Sequence, residues 1–268
     1  MDDPLDFFIH ISKTAGTTMQ SIMDRQYHVR RIMRVHRVPA DELPGRLKHM
    51  SPQIALVAGG HLHFAYSSYF PRPFRAFTIL REPVKRAISL YDYVAREKRH
   101  RMHEAFLAGK ISMEFIARAQ GSGQARLIAG YGTEDAVDDD VLLARAKDTL
   151  EHKITVFGLT ECFDETLLLF TRVLGWTTCG YARKNVTRRR PNQQPADPAK
   201  IALIREHSAV DIALYEFARD LFEKRIAAEP PEFVDQLAAL RRSNEAARRF
   251  QVARAGWGLI CRSLGLAN

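Results

Sequence analysis

The residues best suited to chemistry near the amino terminus are a lysine, a glycine and three threonines in one short stretch. Residues 13–18 read Lys-Thr-Ala-Gly-Thr-Thr and follow an apolar run that is typical of a buried strand. A strand that leads through such a loop into a helix is an anion site, because N–H groups and the positive end of the helix dipole converge there. Lys13 adds a full positive charge. The alternative is an ordinary strand-to-helix turn with a solvated lysine.

A second candidate binding segment follows a strand predicted over residues 74–80. It reads Arg-Glu-Pro-Val-Lys-Arg-Ala-Ile-Ser from Arg81 to Ser89. Pro83 suits the first turn of a helix, where its missing N–H costs nothing. Because ligands of open α/β sheets bind at the carboxyl ends of the strands, Lys13 and Arg81 are expected to share one crevice. A plain strand-to-helix junction with solvated basic side chains is the alternative.

Two histidines are candidate proton acceptors. His61 and His63 follow a strand predicted over residues 54–58 and the pair Gly59-Gly60. In an extended chain they share a face, and the same crevice is expected to hold His61. The pKa of histidine lies near neutrality, which suits a general base. A structural histidine is the alternative for each, and the other histidines offer no spacing that would complete a zinc site.

Both binding segments resemble motifs of one enzyme family. Lys13 precedes Gly16, whereas the lysine of a Walker A loop follows the second glycine. Residues 12–18 instead resemble the 5′-phosphosulfate loop of the sulfotransferases that use 3′-phosphoadenosine 5′-phosphosulfate (PAPS), with Ser12 in place of the usual proline. Residues 81–91 resemble their 3′-phosphate motif, Arg-Asp-Pro-x-x-Arg-x-x-Ser-x-Tyr, with Glu82 in place of the aspartate.

This resemblance implies a role for each matched residue. Lys13 would bind the donor and stabilise the leaving 3′-phosphoadenosine 5′-phosphate (PAP), and Arg81 and Ser89 would hold the 3′-phosphate. His61 lies in a Gly-His segment similar to that of the branch with heparan sulfate 2-O-sulfotransferase, which implies the catalytic base. A segment similar to the family's Asn-Val-Thr-x-x-Arg-Pro adds the last three members of the predicted donor-binding set: Lys13, Thr14, Ala15, Gly16, Thr17, Thr18, Arg81, Ser89, Thr187, Arg188 and Arg190.

The resemblance also implies an α/β fold, with a P-loop-like parallel β-sheet flanked by helices. The expected division is a sulfotransferase domain over residues 1–228, with a helical insertion at about 95–150, and a C-terminal helical extension over 229–268. The insertion either carries acceptor recognition or simply covers the sheet. The extension is amphipathic and basic, so it either packs on the domain, pairs with another subunit as a homodimer, or touches a membrane surface.

Several local elements follow from the hydrophobic pattern. Short helices are predicted within the insertion over 96–103, 104–107, 112–118 and 138–150. A strand over 154–159 is followed by a helix that ends at Gly175, and two more helices are expected between residues 198 and 227. The basic stretch over residues 30–37 is interpreted as a solvated face or a substrate wall, with the solvated face preferred.

Composition and charge restrict the class of protein. The 268 residues are 46% hydrophobic and 26% charged, which is typical of a soluble globular protein. A net charge of +9 favours an anionic partner such as a nucleotide, an acidic glycan, nucleic acid or a membrane surface. Three widely spaced cysteines favour a reducing setting over a disulfide framework. With no apolar run of membrane-spanning length and an acidic start, a cytoplasmic, bacterial-type enzyme without an anchor or signal peptide is expected.

The sequence therefore predicts a sulfotransferase that moves a sulfuryl group from PAPS to a hydroxyl of an acceptor. A glycan or glycoconjugate is the preferred acceptor, and a lipid-linked sugar, a small metabolite and a phenol are the alternatives. The scheme requires no metal and no nucleic acid. One alternative is a P-loop-like kinase or other phosphoryl transferase, which the position of Lys13 and the lack of an acidic strand end for magnesium disfavour. The other alternative is a non-catalytic polyanion-binding protein, which the positive charge would suit.

Overall fold

A computed structural model describes residues 4–36, 38–60, 62–177, 180–181 and 197–246. The strands are β1 Leu5–Ile9, β2 Ile32–Arg34, β3 Leu56–Ala58, β4 Phe74–Leu80 and β5 Val156–Leu159. The helices are α1 Gly16–Gln26, α2 Leu43–Lys48, α3 Pro83–Arg96, α4 His103–Leu107, α5 Met113–Gln120, α6 Gly123–Ala129, α7 Asp139–Asp148, α8 Phe163–Leu174, α9 Pro198–His207, α10 Ala209–Ala227 and α11, residues 232–246. None of the helices in these ranges has the length and apolar character needed to cross a bilayer.

The five strands form one sheet in the order β2-β3-β1-β4-β5, and every pairing between these neighbours is parallel. All five carboxyl ends therefore lie along one edge of the sheet. The predicted α/β architecture, a parallel sheet flanked by helices, is confirmed. β1 lies at the centre of the sheet and all five of its residues are buried, which explains why every residue of the strand except Asp6 is apolar.

The core fills the space between the sheet and its helices. Phe7 and Phe77, on neighbouring strands, are fully buried, and so are Met19 and Ile22 of α1, as their spacing predicts. Phe170 of α8 meets Phe77 edge to face, with ring centroids 5.4 Å apart. The central strands are thus held by apolar contacts with α1 and α8.

A partly buried ion pair lies at the amino end of the sheet. Asp6 of β1 lies beside Arg75 of β4, and its carboxylate accepts hydrogen bonds from Arg75 Nε at 2.8 Å and Nη2 at 3.0 Å. Tyr27 Oη donates to the same carboxylate at 2.6 Å. Arg75 also donates to the carbonyl oxygens of Val173 and Leu174, so the pair satisfies the end of α8.

The structure corrects two of the predicted elements. Part of the basic stretch at residues 30–37 is strand β2, and buried Ile32 and Val35 contradict a purely solvated face. The helix predicted over 96–103 is also wrong, because α3 ends at Arg96 and the next helix, α4, begins only at His103. By contrast, β4 has its predicted bounds, and α8 ends as predicted before Gly175, whose φ of +74° suits glycine.

α11 lies in the predicted C-terminal extension and contacts α8. Arg241 donates to Glu165 at 2.5 Å, and Asn244 Nδ2 donates to Asp164 at 3.0 Å. Phe233, next to the start of α11, is also buried. Residues 232–246 therefore pack on the domain, whereas the division at residue 229 and the roles of the insertion stay predictions.

Gly158 of β5 has no room for a side chain. An added Cβ would lie 1.9 Å from Thr166 Cγ2, and the Thr166 hydroxyl is fixed by hydrogen bonds to the backbone of Leu159. We expect Gly158→Ala to lower the free energy of unfolding by about 1–3 kcal/mol, measured by urea denaturation, because the core must shift. Gly45→Ala, with nothing within 4 Å of the added Cβ, is the control. Equal effects of the two substitutions would contradict this packing.

Candidate active site

A cavity of about 620 Å³ opens at the carboxyl edge of the sheet. Its walls come from the loop after β1, from Gly59 after β3, from Arg81 after β4 and from Glu161 after β5. This edge is where open α/β sheets bind their ligands. The volume suits a small-molecule substrate, since ligand cavities commonly measure about 300–1,000 Å³.

The loop before α1 has an unusual backbone. Lys13 and Ala15 adopt left-handed conformations, with φ of +68° and +63°. Residues other than glycine seldom adopt this conformation, and they do so mainly at binding sites where the surrounding structure fixes them. The fixing contact here is the Thr14 hydroxyl, which is fully buried and donates to the Ile11 carbonyl at 2.8 Å. Ala15 and the first turn of α1 line the cavity.

Lys13 projects over an aromatic ring among other cations. Its Nζ lies 3.8 Å from the ring centroid of Tyr93, a residue of α3. Burial, together with the nearby charges of Arg81 and Arg96, lowers the pKa of Lys13 to about 8, while the charge of Asp92 opposes this shift. An anion bound here would relieve the repulsion among these three cations.

Arg81 connects the two predicted segments. Its Nη1 donates to the Lys13 carbonyl at 2.9 Å, and burial lowers its pKa. Its Nε is buried and has no hydrogen-bond partner among the described residues. An unsatisfied buried donor is costly, so this nitrogen suits an acceptor oxygen supplied by a ligand. Lys13, Arg81 and Ser89 all line the cavity, as the strand ends and the helix start predict.

The remaining predicted site residues divide into two groups. Ala15, Gly16, Thr17 and Thr18 line the cavity, whereas Thr14 does not, because its side chain points into the protein. The other predicted contacts lie outside the described residues, namely His61, Thr187, Arg188 and Arg190.

His63 does not line the cavity. Its ring lies against Tyr66, with centroids 4.4 Å apart, and its Nδ1 is buried without a hydrogen-bond partner in the part of the chain described. Burial lowers the pKa of His63, which favours the neutral ring at pH 7.

Two histidines outside the predicted catalytic and donor-binding sets, His10 and His36, line the cavity. The His10 ring covers Gly16, where an added Cβ would lie 2.1 Å from His10 Nε2. Its position two residues after buried Phe8, on the same face of the chain, was the available signal. His36 Nδ1 accepts a hydrogen bond from the Gly60 N–H at 2.9 Å, which fixes the turn after β3. His36 belongs to the basic stretch over residues 30–37, and its place in the cavity wall departs from the solvated face that was the preferred interpretation there.

The acidic residues at this edge are tied to the backbone and to Tyr215. Glu82 caps α3 by accepting hydrogen bonds from the N–H groups of Val84 and Lys85. Glu161 accepts from the Glu82 N–H at 3.3 Å and from Tyr215 Oη at 2.9 Å. Across the described ranges, His, Cys, Asp and Glu form no group of three that could hold a metal ion.

The sequence is similar to galactose-3-O-sulfotransferase 3 of Bos taurus, with 28% identity over 265 residues, and of Homo sapiens, with 27% identity over 268 residues. The alignments cover 89% and 90% of this chain and 61% of each relative. The chain is thus similar to these sulfotransferases over about nine-tenths of its own length, in agreement with the resemblance of its two motifs. It spans about three-fifths of the length of these curated relatives. No protein-family model matches the chain.

Two solved structures show weaker likeness. A sulfotransferase from Alicyclobacillus acidocaldarius aligns with 14% identity and a TM-score of 0.43, over 86% of this chain and 98% of that one. Mouse sulfotransferase SULT7A1 complexed with PAP aligns with 13% identity and a TM-score of 0.37, over 90% of this chain and 84% of that one. Both TM-scores are below 0.5, so neither likeness supports a conclusion about this chain.

The lowered pKa of Lys13 predicts pH-dependent anion binding. As the pH rises through about 8, Lys13 loses its charge, whereas a phosphate group is fully ionised well below that pH. We expect the affinity for PAP to fall by up to about tenfold per pH unit above pH 8, measured by calorimetry between pH 7 and 9.5. Lys13→Met should bind weakly with little pH dependence over this range. The same pH dependence in wild type and Lys13→Met would assign the titration to another group.

Proposed function

We propose that this protein transfers a sulfuryl group from PAPS to a hydroxyl group of a carbohydrate, with a galactoside as the acceptor class. One observation carries the proposal: Lys13, in the loop after β1, and Arg81, directly after β4, line the same cavity, and the buried Nε of Arg81 has no hydrogen-bond partner within the described ranges. Two cationic side chains from neighbouring strands in one cavity suit a nucleotide with several phosphate groups, and the motif resemblance assigns the 5′ end to Lys13 and the 3′-phosphate to Arg81. The similarity to galactose-3-O-sulfotransferase 3 over nine-tenths of the chain supports the same reaction.

The proposed reaction is an in-line displacement at sulfur. The acceptor oxygen forms a new bond to sulfur as the bond from sulfur to the bridging phosphate oxygen breaks, and PAP leaves with that electron pair. Lys13 stabilises the negative charge that grows on the bridging oxygen. His61, in the role assigned from its motif, takes the proton of the acceptor hydroxyl. The other residues that line the cavity then need only to bind and orient the donor and the acceptor and to balance the charge of the donor.

The acceptor is assigned to the side of the cavity formed by β2 and β3. Arg81 and Ser89 lie on the β4 side of the Lys13 loop, so a donor that spans them leaves the other side open. His36 and Arg34 line that open side, and the Arg34 guanidinium is paired with Asp24. Such polar groups suit the hydroxyls of a sugar better than an apolar phenol. The choice of galactose among sugars rests on the similarity to galactose-3-O-sulfotransferase 3 alone.

The test is direct transfer of label from [35S]PAPS to defined saccharides. The purified protein is incubated with a β-galactoside, the matching β-glucoside and a simple phenol, and the products are separated by chromatography. We expect labelled galactoside and little labelled phenol. Labelling of the phenol alone would contradict the carbohydrate assignment. If no acceptor is labelled and ATP with magnesium gives phosphorylated product, the protein is a phosphoryl transferase instead.

A further inference from the structure

A buried polar cluster lies behind the two cationic sites and does not line the cavity. It consists of Asp211 from α10, Arg86 from α3 and Gln124 from α6, and their exposed fractions are 0%, 3% and 0%. Arg86 Nη1 donates to Asp211 Oδ2 at 3.3 Å. A buried ion pair is a poor source of stability, because desolvation of both charges offsets their attraction. The other hydrogen-bond partners of Arg86, Asp211 and Gln124 therefore indicate the role of the cluster.

One branch of the cluster reaches the Lys13 loop. Arg86 Nε donates to the carbonyl oxygen of Ser12 at 3.1 Å, and its Nη1 also donates to the Gln120 carbonyl at 3.4 Å. The Ser12 carbonyl belongs to the peptide bond that enters Lys13, whose backbone is left-handed. Arg86 thus fixes the start of the loop that presents the lysine.

The other branch reaches Arg81. Asp211 Oδ1 accepts from the Ala125 N–H at 2.9 Å and Oδ2 accepts from the Gln124 N–H at 3.1 Å, which fixes the start of α6. The Gln124 side chain then bonds both backbone groups of Arg81. Its Oε1 accepts from the Arg81 N–H at 3.0 Å and its Nε2 donates to the Arg81 carbonyl at 2.9 Å.

We propose that Asp211 is a positioning residue that sets the placement of Arg81 relative to the Lys13 loop, and thereby the selectivity of the cavity for a nucleotide with two separated phosphates. This inference rests on the proposed function. Asp211 touches neither cationic site directly and acts through Arg86 on one side and Gln124 on the other. Burial raises the pKa of Asp211, which is about 6 after the opposing effects of Arg86 and the two N–H donors, and the ion pair with Arg86 favours the charged carboxylate.

The test compares two nucleotides that differ in one phosphate. Dissociation constants of PAP and adenosine 5′-phosphate are measured by calorimetry for wild type and for Asp211→Asn, which keeps the shape and removes the charge. We expect the preference of the wild type for PAP to fall by about tenfold in Asp211→Asn, since one charge-assisted contact is misplaced. A general loss of stability would weaken the binding of both nucleotides to the same extent and leave the ratio of their dissociation constants unchanged.

Asp6→Asn is the matched control, because Asp6 is also a buried carboxylate paired with an arginine, at the opposite end of the sheet. It should lower the melting temperature without changing the ratio. Gln124→Leu removes only the two hydrogen bonds from the Gln124 side chain to the backbone of Arg81, and it should also lower the ratio of the two affinities. If Asp211→Asn does not fold, the result with Gln124→Leu is the test of the proposal. A wild-type ratio in the folded variants, or an equal change in Asp6→Asn, overturns this inference alone. Absence of any PAP preference in the wild type overturns both the proposed function and this inference.

Discussion

Replacing His61 with alanine should lower turnover about 100- to 10,000-fold and leave the affinity for PAP close to that of the wild type. The reason is that a general base acts on the acceptor hydroxyl and not on the nucleotide. Initial rates with [35S]PAPS at saturating acceptor give the turnover number, and calorimetry gives the affinity. Because kcat and Kd are measured separately, a loss of donor binding cannot be mistaken for a loss of chemistry.

His63→Ala is the control for the base, since the same type of residue is removed two positions away. His63 lies outside the cavity wall, so its loss should reduce turnover far less. Turnover in His61→Ala that matches the wild type would end the assignment of His61. A loss confined to His63→Ala would transfer the role of base to His63.

Replacing Arg81 with alanine should weaken PAP binding by about 100-fold, the effect of removing a charged hydrogen-bond donor worth roughly 2–3 kcal/mol. The same substitution should weaken the binding of adenosine 5′-phosphate, which lacks the 3′-phosphate, much less. The smaller effect on this nucleotide reflects the lost contact between Arg81 and the Lys13 carbonyl. Isothermal titration with both nucleotides measures the difference.

Arg81→Lys separates charge from geometry in the same experiment. A lysine keeps the positive charge but lacks the planar fork of donors, so it should recover only part of the PAP affinity. If Arg81→Ala weakens PAP and adenosine 5′-phosphate equally, Arg81 does not bind the 3′-phosphate.

The elements that carry strong local signals could be predicted from the sequence. β4 is mainly apolar, with two phenylalanines, an isoleucine and a leucine among its seven residues. α3 begins at Pro83, and the side chain of the preceding Glu82 caps the helix. Lys13 and Arg81 each follow such a strand, and the carboxyl ends of parallel strands lie at one edge of the sheet. Their position in one cavity could therefore also be predicted from the sequence.

The rest of the site depends on contacts between distant parts of the chain. β2 has three residues and ends in an arginine, so the hydrophobic pattern does not predict its pairing with β3. The position of His36 at the cavity, shortly after this strand, could not be predicted for the same reason. Asp211 and Arg86 are 125 residues apart, and only the packing of α10 against α3 and α6 brings them together. The interior position of Thr14 likewise depends on its bond to Ile11, which a loop motif does not specify.

The most direct test of a PAPS-dependent enzyme is the nucleotide preference of the wild-type protein. Calorimetry with PAP, adenosine 5′-phosphate, and ATP with magnesium compares the two-phosphate ligand with a one-phosphate analogue and with a kinase substrate. The account predicts that PAP binds most tightly and that removal of its 3′-phosphate costs about tenfold or more. Preference for ATP with magnesium, or equal binding of PAP and adenosine 5′-phosphate, would contradict it.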